Sequence, residues 1–369
     1  DYGLFTQVEQ LNKTALKAHG LDKSGHLYKV NSFDFRRYED TIKLADDPDY
    51  NQANFEGMLE IKGDSDHTKL IEMLEALNDD TQKIDDVLDT YFDTENLVYW
   101  LAFQLLTGNC DTQNRNCYLY SPLNSNTWYI LDWDNDGMLR KLELSLTGFS
   151  DYASWERGVS NYWGNVLFNR AMRSKSFRSE LDRAVKDLRS YMTEARLAKM
   201  IKHYREVTES LVFASPDIDN LPVTKDQYEQ IAAAIPSEIE ENYKSYCESY
   251  KKPMPFYIGV PQIDNGKLRI NWDASYDFKA RDIRYTVEVA RDYAISDVLF
   301  KAEDVLLPEV TCDAPDAGQY FVRVRATNSD GYTQDAFDYY VTDDGKHYGM
   351  KCFYVQDGGK VVEDTYEEG

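Results

Sequence analysis

The chain has 369 residues, 42% hydrophobic and 14% aromatic, enough for an ordinary buried core and better suited to two domains than to one. Its 41 Lys and Arg stand against 65 Asp and Glu, a net charge of −24, and no basic cluster offsets it, which excludes nucleic acid as an expected partner. No stretch reaches the roughly eighteen apolar residues of a membrane span.

The start, Asp1-Tyr2-Gly3-Leu4-Phe5, has neither an initiator Met nor a basic-then-apolar leader, so the chain reads as a mature or trimmed piece, which leaves room for a signal peptide upstream. The acidic composition suits the solvated surface of a protein displayed or secreted by a bacterium. Five scattered cysteines give no disulfide scaffold and no zinc spacing, with Cys312 and Cys352 the one pair within the same region. Five scattered histidines show no ligand spacing either.

Gly3 to Glu9 reads as a strand, Lys13 to Ala18 as a short helix, and Leu27 to Val30 as a strand. From Asp66 the period turns helical, with Leu70, Ile71, Met73, Leu74 and Leu77 on one face. A second, buried helix is expected over Thr94 to Thr107, with Asp93 or Thr94 as N-cap and Gly108 as stop. Cys117 to Tyr120 and Trp128 to Leu131 then form a hairpin around Ser121 to Asn126. Ser176 to Tyr250 is helical, punctuated near Ser215-Pro216 and Ile235-Pro236, and ends in a linker at Lys251 to Pro255. Beyond it the period becomes two, in Lys267 to Trp272, Tyr285 to Val289 and Gly318 to Asn328, as in a β-sandwich. Asp343 to Gly369 is expected to add a hairpin with a frayed end from Glu363.

The chemistry-bearing segment is Gly108 to Tyr120 followed by Trp128 to Gly137. Asp111 stands five positions before Asn116, between a buried helix and a hairpin, which is the catalytic-loop spacing of protein kinases. Phosphoryl transfer needs a carboxylate at the attacking hydroxyl, an amide oxygen on the metal, and a second carboxylate to tie metal to nucleotide. Asp132, Asp134 and Asp136 are the candidates for that second carboxylate.

Arg115 to Tyr120, Trp133 to Asp136, Tyr2 to Gln10 and Leu27 to Lys29 together resemble the CotH family of atypical secreted, spore-coat kinases, over about residues 1 to 250. The resemblance implies Asp111 as catalytic acid/base, Asn116 and Asp134 as metal ligands with Asp132 and Asp136 nearby, and Lys29 as a phosphate contact. Glu9 falls in a family motif, and Trp128 is placed to supply an aromatic wall for adenine. The implied cofactors are ATP and Mg2+, with Mn2+ or Ca2+ as substitutes. The partner would be a secreted or coat protein carrying Ser/Thr acceptors, and the location a bacterial cell surface or spore coat. The expected fold class is α+β: an atypical kinase-like domain over residues 1–252, with a partial small lobe and a mostly helical large lobe, then an all-β sandwich over residues 255–342 similar to fibronectin type III, and a tail over residues 343–369. The chain departs from classical kinases in lacking G-x-G-x-x-G and V-A-I-K, and Gly108-Asn109-Cys110 stands where His-Arg usually precedes the Asp. Asp132 stands where the family commonly has Pro.

Plainer readings remain open on the residues alone. Asp132 to Glu143 fits the EF-hand loop pattern, although Thr127 to Leu131 favours a strand over an entering helix. Asp111 serves equally as a helix-exit cap, Lys29 as a solvated strand-edge lysine, Glu9 as a surface charge, and Trp128 and Trp133 as core. The alternative to an enzyme is a degenerate kinase-like scaffold with a calcium-binding acidic loop, acting in surface adhesion or carbohydrate association.

Overall fold

The computed structural model describes residues 3–148 and 153–364. The chain divides into two compact units, residues 1–150 with 164–244, and residues 151–163 with 245–369. Tyr2, expected in a motif, and the tail from residue 365 lie outside the described residues.

The N-terminal unit opens with α1 (Lys13–Ala18), β1 (His26–Val30), α2 (Gln52–Met58) and β2 (Leu59–Ile61). Then come α3 (Thr68–Asn78), α4 (Ile84–Tyr91), α5 (Thr94–Thr107), β3 (Cys117–Ser121) and β4 (Tyr129–Asp132). It continues through α6 (Lys141–Leu146), α7 (Val166–Arg173), α8 (Lys175–Tyr191), α9 (Glu194–Val212) and α10 (Lys225–Ser249), whose last residues belong to the second unit. The four strands form one antiparallel sheet in the order β2-β1-β3-β4. Alternation divides it into two faces. Tyr28, Leu119 and Ile130 are buried on one; Leu27, Tyr118 and Tyr120 cluster on the other with Leu16 of α1, bordered by Leu131 and Trp133.

The residues explain α5. Asp93 accepts from the Asn96 N–H as N-cap, and Gly108 ends the helix at φ 66°, a left-handed conformation open to glycine. A β-carbon at Gly108 would also meet the Asn242 amide at 2.6 Å. Between these caps Leu97, Val98, Trp100, Leu101, Ala102, Leu105 and Leu106 are all buried, so the helix is a core element with little polar face.

Two expectations fail here. Gly3 to Glu9 is not a strand: Leu4, Phe5 and Val8 are exposed, and the segment pairs with no strand of the sheet, so alternation finds no edge to join. Pro236 does not punctuate, because α10 runs through it. The lost N–H costs one ladder bond, and burial of Pro236, Glu238 and Ile239 in that stretch offsets it.

The C-terminal unit is β-rich. It holds β5 (Gln262–Asp264), β6 (Lys267–Asn271), β7 (Ile283–Ala290), β8 (Val298–Val305), β9 (Glu309–Asp313), β10 (Gly318–Asn328) and β11 (Thr333–Asp335). β12 (Tyr339–Thr342), β13 (Gly345–Tyr348), β14 (Met350–Val355) and β15 (Val361–Glu363) follow. The larger sheet runs β15-β14-β10-β7-β8 with β11 added on β10; β5-β6-β9 forms a second sheet and β12-β13 a ribbon. Trp272, Tyr285, Val287, Val289, Tyr320, Val322 and Val324 share the core cluster. All five cysteines are free, Cys312 and Cys352 among them.

Candidate functional site

The C-terminal end of α5 organises two loops. Asn109 Oδ1 accepts from the Asp111 N–H at 3.2 Å, which turns the chain out of the helix. At the far side of the same loop Asn116 adopts φ 59° and donates its Nδ2 to the Asp111 carboxylate at 2.9 Å and to the Asp111 carbonyl at 3.1 Å. The five-residue spacing thus closes on itself, and because the amide nitrogen of Asn116 faces Asp111, its oxygen is turned away from that carboxylate. Arg115 lies 3.4 Å from the other Asp111 oxygen in a pair that is half exposed and therefore weak.

The second loop follows β4. Asp132 ends the strand opposite Cys117, and its carboxylate accepts from the buried Gln104 amide of α5 at 2.9 Å. Gln104 also reaches Asn135 Oδ1 at 3.3 Å, Asn109 reaches the same oxygen at 3.4 Å, and the Leu139 N–H donates to the Thr107 carbonyl at 2.9 Å. A β-carbon on Gly137 would meet Asn109 Oδ1 at 2.6 Å and the Asp111 β-carbon at 3.5 Å, so the turn is drawn against the Asp111 loop as only glycine permits. Asp132 keeps an exposed edge, but the protein packed on its α5 side removes part of the water from its carboxyl and lifts it above the usual range, hydrogen bonds from Gln104 and Trp100 only partly offsetting this.

Asp134 sits at φ 55° and ψ 60° at the head of a 3₁₀ turn, Asn135–Gly137, and caps none of its amides. Asp136 lies inside that turn and is exposed. Among the described residues no three His, Cys, Asp or Glu side chains gather closely enough to hold a cation. Asp132, Asp134 and Asp136, the three candidates for the second carboxylate, therefore do not act as a three-acid set. One side chain is committed to α5, one heads a left-handed turn and one is carried round within it. The EF-hand reading falls as well, because a strand enters the loop, and Glu143 on α6 is held in two hydrogen bonds by Arg140 at 2.9 and 2.8 Å.

Lys29 lies on β1 between Glu60 and Tyr118 in register, half-buried, with Nζ 5.8 Å from the Trp133 ring centre. It therefore belongs to the sheet face that leads into the Asp134 turn. Trp128 does not: it is fully buried, stacks on Tyr28 at 6.1 Å, and its backbone is bound to Tyr91 and Asp93 at the α4–α5 junction. It is a core residue with no face left for a nucleotide, whereas Trp133 lies beside Lys29. Glu9 is exposed and pairs with His19 at 2.8 Å. Gln104 was hidden from sequence reasoning because a single polar residue in an apolar helix carries no motif. Its burial is the signal.

The family described as CotH kinase protein matches residues 1–246. The chain belongs to that family. The CotH match covers the whole sheet, both loops and most of α10. No curated protein matches the chain. Among solved structures the chain is similar to the twitchin kinase region of C. elegans, at 19% identity over 26% of this chain and 20% of that one, with a TM-score of 0.20. It thus spans a fifth of that structure, and a likeness so slight carries no argument.

The CotH membership implies ATP and a divalent metal. The donor types are those a hard cation takes: Asn116 has an amide oxygen turned away from Asp111, and Asp134 a carboxylate that caps no amide of its own turn. Magnesium is commonly held by one or two carboxylates together with substrate phosphates, so a three-acid cage is not required.

Proposed function

We propose that the chain transfers the γ-phosphoryl group of ATP to a Ser or Thr hydroxyl of a protein substrate. The supporting observation is the closed Asp111–Asn116 loop lying against the Gln104-anchored turn that carries Asp134. In this reading the acceptor oxygen attacks the γ-phosphorus, the bond to the β-phosphate oxygen breaks, ADP leaves, and the hydroxyl proton passes to Asp111. Exposure of that carboxylate lets it return the proton to solvent. Asn116 orients Asp111 through Nδ2 and offers Oδ1 to the cation, with Asp134 as the second protein ligand. Bound magnesium would neutralise charge on the transferring phosphates. Lys29 contacts the phosphates from β1.

The same reading makes the C-terminal unit a fibronectin-type-III-like module. Its two-sheet topology and the Tyr320 hydroxyl, which donates to the Asp316 carbonyl four residues upstream at 3.0 Å, support this. It also places the protein at a bacterial surface or spore coat with a secreted acceptor, a setting associated with the family. The test is calorimetric ATP titration with and without magnesium, followed by mass spectrometry for phosphorylated product. Magnesium-dependent binding and a mass increase of one phosphoryl group per modified site are expected. A folded chain that binds no nucleotide would overturn the reading.

A further inference from the structure

Where α8 turns into α9 the chain leaves a groove of about 670 Å³, whose lining includes Tyr191, Arg196, Lys199, Met200, His203 and Tyr204. Its chemistry is the reverse of the chain's: against 65 Asp and Glu in the sequence, no carboxylate lines this groove. Arg196, Lys199 and His203 stand at i, i+3 and i+7 on one face of α9 and are all exposed. Among the described residues none of the three has a carboxylate partner. The Lys202–Glu206 pair of the same helix, at 3.9 Å, lies off the lining. Arg196 is held without losing its charge. Its guanidinium stacks on the Tyr191 ring at 3.6 Å and donates to the Tyr191 hydroxyl at 2.6 Å, a partner that orients a cation and does not neutralise it.

The spread of these groups selects the form of the ligand. From Arg196 to His203 a helix rises about 10.5 Å, more than one phosphate or one carboxylate can bridge. An extended peptide covers that distance in about three residues, so acids spaced along it meet the basic groups in turn. Met200 and Tyr204, 44% and 61% exposed, lie between and beside the basic groups. Apolar side chains of a peptide would cover them, whereas a polyphosphate would leave them wet. A chain of net charge −24 repels a long polyanion such as nucleic acid, and a concave lining suits a segment laid into it better than a flat bilayer.

We propose that this groove binds an acidic peptide segment of a partner protein, with Asp or Glu side chains on Arg196, Lys199 and His203 and apolar side chains on Tyr191, Met200 and Tyr204. Binding here needs no nucleotide and goes beyond phosphoryl transfer at the Asp111 loop. Because the charges are exposed, attraction is screened and the affinity is modest.

The test is fluorescence anisotropy on the full chain without ATP, using a short labelled peptide in which Glu alternates with Leu and Phe. The wild type should bind with a Kd between about 10 and about 200 µM, weakening as salt is raised. Lys199→Glu should weaken binding roughly tenfold or more, and Tyr204→Ala a few-fold, both with unchanged circular dichroism. Lys202→Glu makes the same change of charge off the lining and should stay near wild type. A wild type that does not hold the peptide, equal binding of the peptide with Gln in place of Glu, or a loss in Lys202→Glu as large as in Lys199→Glu would each overturn the proposal. Tighter binding of a single-stranded oligonucleotide or of phosphatidylserine vesicles would overturn it as well.

Discussion

Gln104 donates to the Asp132 carboxylate at 2.9 Å from inside the core, and the same amide reaches Asn135. One buried side chain on α5 thus holds both ends of the turn on which Asp134 is displayed. Gln104→Leu keeps volume and removes the donor. The helix should still form, since Leu suits its apolar surroundings, while the turn loses its anchor. Magnesium-dependent ATP affinity and turnover should both fall, with misplacement of this kind costing roughly ten- to a hundredfold. Circular dichroism and ATP titration measure the two halves of that expectation. Unchanged nucleotide binding in the variant would show that Gln104 does not position the site.

His67 is fully buried, stacked on Phe55 at 4.1 Å, with Tyr28 at 2.9 Å from one ring nitrogen and Tyr50 at 3.2 Å from the other. A neutral imidazole has one donor and one acceptor, and the two hydroxyls use both. Loss of water pushes its pKa down to about 4, with nearby Asp66 only partly opposing. Between that value and the ordinary imidazole pKa of about 6.5 the unfolded chain binds more protons, so stability rises with pH across this window. The stabilising effect is full above the window and lost as pH falls through it. Denaturant unfolding from pH 4 to pH 7 should show that slope, and His67→Gln should flatten it. An equal slope in the variant would assign the effect to other groups.

In the C-terminal unit Asp277, with 1% of its side chain exposed, receives Arg281 at 3.0 Å and Asn328 at 2.9 Å, while Arg281 also binds the Lys251 carbonyl at 2.8 Å. Burial works against the Asp277 charge, yet these donors hold its carboxyl below the usual range. Asp277→Ala would leave the nearly buried Arg281 guanidinium with only the exposed Asp330, at 2.8 Å, as counter-ion and would strip Asn328 of its acceptor, a loss of about 3 kcal/mol. The unfolding transition of this unit should drop by roughly ten degrees or more. Removing the exposed partner of Lys267, in Asp313→Ala, should leave that transition essentially where it is, because solvent screens the pair. Equal shifts for the two variants would refute the difference drawn from burial.

What the sequence made legible was whatever local physics decides. α1 and β10 fall at their expected bounds, and α5 appears with its Asp93 and Gly108 caps, because periodicity and capping are written within a few residues. The entering strand before Asp132 was also readable, from β-branched and aromatic composition. What was not legible depends on distant partners. Gly3 to Glu9 alternates like a strand but has no edge to join, and Pro236 looks like a break until the burial around it is known. At the site, spacing brought Asp111 to Asn116 but could not separate Trp128 from Trp133. Only the sheet register turns the first into the core and sets the second beside Lys29.

Three conservative substitutions separate the proposed roles of the carboxylates. Asp111 is exposed and bonded to Asn116, so Asp111→Asn should preserve the loop while removing proton acceptance. Turnover should then fall by about a hundredfold or more, with ATP affinity nearly kept. Asp134→Asn removes charge from a carboxylate that caps no amide of its turn, so it should weaken magnesium-dependent ATP binding as well as rate. Asp132→Asn is the control: its partner Gln104 can donate to an amide oxygen as readily as to a carboxylate, and the change should be mild in both measurements. Autophosphorylation and calorimetric ATP titration distinguish the three patterns on protein shown to be folded. If Asp132→Asn is the most damaging for metal-dependent binding, the cation ligand belongs at the strand end and the assignment to Asp134 is wrong. If Asp111→Asn keeps full turnover, the loop is structural and phosphoryl transfer by this site fails as a reading.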